Sequence, residues 1–279
     1  MKNLIKKIFR KIQSEDEIKE LADLIEWKDK FIKKGDEIVL GRGIEKGISF
    51  NLNDSSHLIV ATPGAYGKTT VLKNILWQMI KKDFEVVVYS DIWEFNENYK
   101  KFEEVIEILE AEEFNNRLEL LIAESEYRIK LINDAWCIDI KEYNEVNKDN
   151  KIKRIGVFID NIESILEKCK DEKIKEKIEE NISALLFLSK STGIHVFLSI
   201  ALHNFESLPS SIVDNISIKI CGKAIDAVDS AYVLGNTRAM ALKSIPGRMI
   251  IKQDNPSVLT EFQAYHFNDE KYLNFKLRN

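Results

Sequence analysis

The sequence predicts an α/β fold: a mostly parallel sheet with helices on both faces, preceded by a small β-rich N-terminal lead-in. Two observations carry this. The runs "HLIVAT", "FEVVVYSD", "RIGVFIDN", "HVFLSIAL" and "ISIKICG" are apolar at nearly every position, as strands buried on both faces are. Helical or charge-rich stretches separate most of them, and strands alternating with helices imply parallel pairing through crossovers.

Taken in order, "MKNLIKKIFRKI" carries Lys2, Lys6, Lys7, Arg10 and Lys11, with Leu4, Ile5, Ile8 and Ile12 at helical spacing. Residues 1–36 therefore read as a basic amphipathic N-terminal helical segment, with residues 1–13 either contacting an anionic membrane surface or a partner, or docking on the chain's own domain. A single domain is expected over 37–279. It starts with the short β-rich runs "EIVLGR" and "ISFNL", which lead into "HLIVAT". "KTTVLKNILWQMIKK" places Val71, Leu72, Ile75, Leu76 and Met79 on one helical face. The composition is helical from about Phe102 to Ile132, and a charged helix, "EKCKDEKIKEKIEENISALLFLSKS", follows the strand "RIGVFIDN". A short helix near Ala227 to Leu234 and closing strands at "RMIIK" and "LTEFQAYH" complete the chain.

Composition excludes several classes. The 279 residues are 44% hydrophobic and 31% charged with a formal charge of -5, which is ordinary for a globular domain and too acidic for a broadly basic nucleic-acid coat. A local DNA contact from loops stays open. No apolar run of the roughly 18 residues needed to span a bilayer is present, so a cytoplasmic location is expected. Cys137, Cys169 and Cys221 lie far apart and are expected to be buried free thiols.

The chemistry is concentrated in "TPGAYGKTT". A tight glycine turn between a buried strand and a helix aims backbone N–H groups and a positive dipole end at one point, which suits phosphate. Gly64 and Gly67 let the backbone approach closely, Lys68 supplies a compact cation, and Thr69 supplies a hydroxyl for Mg²⁺. Thr62 stands where the G-x-x-x-x-G-K-S/T pattern begins with glycine. Residues Pro63, Gly64, Ala65, Tyr66, Gly67, Lys68, Thr69 and Thr70 are the expected ATP-binding loop; the alternative is a tight turn with a helix N-cap. The second half of such a site is an acid at the C-terminal edge of a buried strand, and Asp160 fills it, with Thr69 and Asp160 as the expected Mg²⁺ ligands. Lys68, Asp160 and Glu163 are the candidate catalytic residues; Glu163 is included because Asn161 cannot act as a base where a glutamate often follows the aspartate.

These residues together resemble the FtsK/SpoIIIE-type motor domain of the HerA/FtsK superfamily, in order over roughly residues 37 to 266. The resemblance rests on "LGRGIEKGISFNLNDSSHLIVA", on Glu124 and Arg128, on Tyr143 and Asn144, on "VFIDN", on Gly193, Ile194 and His195, and on "AVDSAYVLG" and "IPGRMIIK". It implies a RecA-like P-loop NTPase core, ATP with Mg²⁺, and a homo- or hetero-oligomeric ring. It also implies double-stranded DNA as cargo or, in the EssC/EccC branch, secreted proteins, with conjugation or secretion partners. Three positions depart from the family pattern: Asn161 for glutamate, Ala201 for glutamine and Ala231 for arginine. Arg238 and Arg248 are candidates to reach a neighbouring subunit's nucleotide, or are structural. The expected function is an ATP-binding domain of a DNA translocation machine, with hydrolysis weakened by these departures. The alternatives are a degenerate ATP-binding interaction module and a component of a type VII-like secretion ATPase.

Overall fold

A computed structural model of the chain describes residues 20–90, 110–253, 258–268 and 271–272, and the backbone of 105–108. The strands are β1 (Ile25–Glu26), β2 (Glu37–Arg42), β3 (Gly47–Asn51), β4 (Leu58–Thr62), β5 (Glu85–Tyr89), β6 (Val105–Ile108), β7 (Ile155–Ile159), β8 (Ile194–Ala201), β9 (Ile218–Cys221), β10 (Arg248–Lys252) and β11 (Leu259–His266). The helices are α1 (Lys68–Lys81), α2 (Ala111–Asp134), α3 (Ile140–Val146), α4 (Ile162–Lys168), α5 (Glu172–Leu188), α6 (Ser210–Val213) and α7 (Ala227–Leu234).

All the strands join one sheet in the order β3-β2-β11-β10-β9-β4-β8-β7-β5-β6, with β1 also on β11. The expectation of a mostly parallel sheet is corrected: the sheet is mixed. From β9 to β6 every pairing is parallel. Beyond β9, the strands β10, β11, β2 and β3 pair antiparallel. For β2–β3 and β10–β11 the physical reason is connection length. Residues 43–46 join β2 to β3 and residues 253–258 join β10 to β11, and neither can make the crossover of a dozen or more residues that a parallel pair needs. The β-rich lead-in is thus part of the main sheet.

The period of two divides the core. Ile59, Ala61, Val87, Val157, Ile159, Val196 and Leu198 face one side, with Leu118 and Leu121 of α2 and Ile178, Ile182 and Leu185 of α5. Leu58, Val60, Val86, Val88, Phe158 and Phe197 face the other, against Val71, Leu72, Ile75, Leu76 and Met79 of α1. Helices therefore cover both faces.

Three local expectations change. Backbone 105–108 is a strand parallel to β5, so the helix expected from Phe102 starts at Ala111; residues 102–104 lie outside the described residues. The charged helix breaks at 169–171, where the Asp171 carboxylate caps α5 by accepting from the Lys173 N–H. The basic helix at 1–13 also lies outside the described residues, but 20–36 is not the helical segment anticipated. It carries β1 and one 3-10 turn, Asp29–Phe31, and inserts Trp27, fully buried, into the core on the α1 side. Among the described residues no helix is long and apolar enough to cross a membrane.

Candidate functional site

The loop at 63–67 leaves the C-terminal end of β4, in the middle of the sheet, and enters α1. Gly67 takes a left-handed backbone (φ 99°, ψ 19°) at the N-cap. A Cβ there would meet nothing nearer than 3.6 Å, so backbone conformation and not space demands glycine. Gly67 gives α1 no side-chain cap and the first turn holds no acid. The first N–H groups of a helix lack intrahelical acceptors, so this end presents donors and a positive dipole with half-buried Lys68 beside them. That donor set fits a phosphate chain.

Thr62 is accommodated by a neighbour. It is fully buried, and a Cβ added to Gly222 at the end of β9 would lie 2.9 Å from both its Cβ and its Cγ2. Glycine on the adjacent strand leaves the room that glycine in the loop would otherwise leave.

The acid arrives from two strands away. β8 lies between β4 and β7, and Asp160, fully buried, follows β7. Its Oδ2 accepts from Thr69 Oγ1 at 2.9 Å, and its Oδ1 accepts from Ser199 Oγ at 2.5 Å. Ser199 Oγ also accepts from the Asn161 N–H at 2.9 Å. Asn161 sits in the left-handed region (φ 56°, ψ 64°), which asparagine tolerates better than most residues, and there the chain turns from β7 into α4. That turn brings Glu163 back to β8, where Oε1 accepts from the Ala201 N–H at 2.7 Å. Glu163 Oε2 is buried without a hydrogen-bond partner among the described residues. Burial pushes the Glu163 carboxyl above its ordinary pKa; hydrogen bonds from backbone N–H groups and the Lys68 charge pull against that, while Asp160 adds to it.

Gly64, Ala65, Gly67, Lys68, Thr69, Thr70 and Asn161 line one side of a cleft of about 520 Å³. Pro63 and Tyr66 do not line it. Tyr66 turns its hydroxyl to Ser244, and its carbonyl accepts from the Gly247 N–H at 3.1 Å, tying the loop to the turn before β10. Asp160 lies behind Thr69, and Glu163 is set further back against β8. The rest of the lining comes from Pro246 and Gly247 of the "IPGRMIIK" segment and from residues that the sequence did not single out, Leu24 and the end of β11. Ser199 was also missed, although it is the one hydroxyl in the apolar run "HVFLSIAL".

Other candidates resolve into structure. Arg248, 3% exposed at its side chain, donates to Gln263 Oε1 and to the carbonyls of Leu21 and Ala22, and pairs with Asp23 and Glu261. Arg238 is exposed and donates to the Leu259 carbonyl at 3.3 Å. Arg128 is buried, bonded to Glu124 and to the carbonyls of Lys153 and Thr192. His57 and His195 are buried hydrogen-bonders: the His57 ring meets the Leu186 carbonyl and the Val196 N–H, and that of His195 meets the Ser56 carbonyl and Arg154. Burial pushes the His57 pKa down to about 3 and that of His195 well below its ordinary value. The three cysteines are free, but only Cys221 is buried; Cys137 and Cys169 are partly exposed, against expectation. No group of three or more His, Cys, Asp or Glu side chains suited to a metal occurs among the described residues. A cation here would rest on Thr69 and Asp160 together with its ligand's own oxygens.

A glycine loop between a central parallel strand and a helix, facing a buried acid two strands away, makes this a P-loop NTPase fold. No family model matches the chain. The type VII secretion system protein EssC of Staphylococcus aureus is 22% identical across 99% of this chain and 18% of its own length. DNA translocase FtsK of Staphylococcus epidermidis is 23% identical across 88% of this chain and 32% of its own. Among solved structures, the conjugation coupling protein TcpA, as a monomer form with ATPgS, superposes with a TM-score of 0.85 at 29% identity, covering 94% of this chain and 76% of that one. The relatives are therefore FtsK DNA translocases and type VII secretion ATPases, the two branches that the sequence motifs resemble. The chain spans less than a third of the length of the curated relatives it matches.

Proposed function

We propose that this chain is an ATP-binding FtsK/SpoIIIE-like domain of a DNA translocation machine, of the conjugation or segregation kind. The observation that carries the reading is the joined pair of half-sites: the α1 N-terminus with Lys68 and Thr69, linked by the 2.9 Å Thr69–Asp160 hydrogen bond to the acid of β7. The likeness to TcpA over nearly the whole chain supports DNA as cargo. In this reading the loop from Pro63 to Thr70 wraps the triphosphate, Lys68 neutralises its outer charge, and Thr69 and Asp160 hold Mg²⁺. The bound cation neutralises charge on the transferring phosphoryl group. Asn161 cannot accept a proton, so Glu163 is the candidate base in this reading, acting when its side chain turns from the Ala201 N–H toward the cleft.

The same reading expects a homo- or hetero-oligomeric ring in the cytoplasm, with conjugation or secretion proteins as partners and residues 1–13 as a peripheral membrane contact. Asn161 favours a second reading, in which the chain binds ATP and turns it over slowly as an interaction module or as part of a secretion ATPase. The deciding measurement is ATP hydrolysis by the purified chain with and without duplex DNA. DNA-stimulated turnover that Lys68→Ala abolishes is the expected result. Tight ATP binding with no turnover under either condition would establish the module reading instead.

A further inference from the structure

Three side chains from motifs that play no part in the phosphate site meet at the other edge of the sheet. Asn144 of α3 holds the Ile152 backbone twice, donating to its carbonyl at 2.9 Å and accepting from its N–H at 2.8 Å. Arg128 of α2 donates to the Lys153 carbonyl at 2.9 Å, and the His195 ring of β8 lies 3.0 Å from the Arg154 guanidinium. Residues 152–154, just before β7, are therefore fixed from three elements. They line a second cleft, of about 770 Å³, at the N-terminal ends of β5 and β7. The phosphate loop leaves the C-terminal end of β4, which runs parallel to them through β8, so the two clefts lie at opposite edges of the sheet.

This cleft is basic in a chain that is acidic overall. Six of its lining residues are cationic and three are acidic, against a formal charge of -5 for the chain. Two of the acids are neutralised in place: Arg154 pairs with Asp36 at 3.0 Å and Lys153 with Asp83 at 3.0 Å. Half-buried Lys82 donates to the carbonyls of Lys33 and Gly35. Lys141, Lys148 and Lys151 line the cleft, are exposed, and form no ion pair among the described residues. Their charges face solvent and are open to a ligand.

We infer that this cleft is a docking groove for a short acidic peptide segment of a partner protein. The lysines complement its carboxylates, and the fixed backbone at 152–154 means that little has to be ordered on binding. The mixture of signs selects a peptide over a nucleic acid. Duplex DNA brings one negative charge per ~1.7 Å of its axis and would have to pass the carboxylates of Asp36, Asp83 and Glu145. A peptide can set its acidic side chains against the lysines and its neutral ones against those carboxylates. Phe84 and Ile152, both half-buried in the lining, give its apolar side chains a contact. The groove is remote from the phosphate loop and does not rest on the nucleotide reading.

The test is fluorescence anisotropy of a labelled decapeptide with glutamate at alternate positions, on the whole chain. Lys148→Glu with Lys151→Glu is expected to weaken binding by about tenfold or more, and Lys141→Glu, on α3, to weaken it independently. Lys170→Glu with Lys173→Glu changes the net charge equally at exposed positions outside the cleft, and is expected to leave binding within about twofold. Urea midpoints check that each variant is folded. A peptide with glutamine in place of glutamate is expected not to bind. No binding of the acidic peptide by the native chain, equal losses in the two double variants, or binding that neither cleft variant weakens overturns the groove. Labelled duplex DNA that binds the native chain and is lost in the Lys148→Glu/Lys151→Glu variant, with the acidic peptide bound no better than its glutamine counterpart, gives the cleft to nucleic acid and also overturns it.

Discussion

At the residue scale, Thr62 and Gly222 form a pair that explains an irregular loop. The sequence shows a threonine where the pattern has glycine; only the structure shows that glycine has moved to the neighbouring strand. Gly222→Ala forces a methyl to within 2.9 Å of Thr62 and is expected to destabilise the chain by about 1–3 kcal/mol in urea unfolding. In a Thr62→Gly background the same change should cost far less, and equal costs in both backgrounds would show that the two residues do not share the space. Ser199 tells a similar story. Its hydroxyl joins Asp160 to the Asn161 backbone, a role no motif records because it depends on β8 lying between β4 and β7.

At the element scale, the N-terminal stretch and the antiparallel strands β2 and β3 are tied to the parallel half of the sheet by two buried anchors. Arg154, at the start of β7, bonds the Asp36 carboxylate at 3.0 Å, the Asn53 side-chain oxygen and the His195 ring. Removing one partner of a buried pair leaves an unpaired charge behind, so Arg154→Ala is expected to cost about 3 kcal/mol by urea unfolding. Trp27 is fully buried on the α1 side of the sheet, edge-on to Tyr265 of β11, and its replacement by alanine should cost about 3–5 kcal/mol. If Trp27→Ala left the urea midpoint unchanged, residues 20–36 would be an appendage. The sequence placed the strands well because buried parallel strands are apolar throughout. It placed 20–36 and β6 badly because a two-residue strand and a short edge strand carry no periodicity of their own.

At the scale of the whole molecule, two neutral histidines buried at the start of the central strands make stability fall in acid. Above pH 6.5 both are neutral whether folded or not, and their contribution is complete. Below it, the unfolded chain takes up protons that His57, held down to about 3, and His195, held well below its ordinary value, refuse when folded. Each then removes about 1.4 kcal/mol per pH unit. Glu163, whose raised pKa has the opposite sign, offsets part of this. Urea midpoints should therefore drop between pH 6.5 and pH 5, and a flat profile over that window would mean that the histidines titrate normally in the folded chain.

What the sequence determined by itself was the chemistry that lies along the chain: a strand, a glycine turn, Lys68 and Thr69, and an acid about ninety residues later, since strand burial and phosphate binding are written in local runs. The tertiary structure decided what depends on strands distant in sequence becoming neighbours. It made the sheet mixed, let Gly222 excuse Thr62, placed Ser199 against Asp160, and built the far wall of the cleft from Leu24 and β11. A parallel sheet assembles its edge from crossovers, so residues that share that edge need share no pattern in the chain.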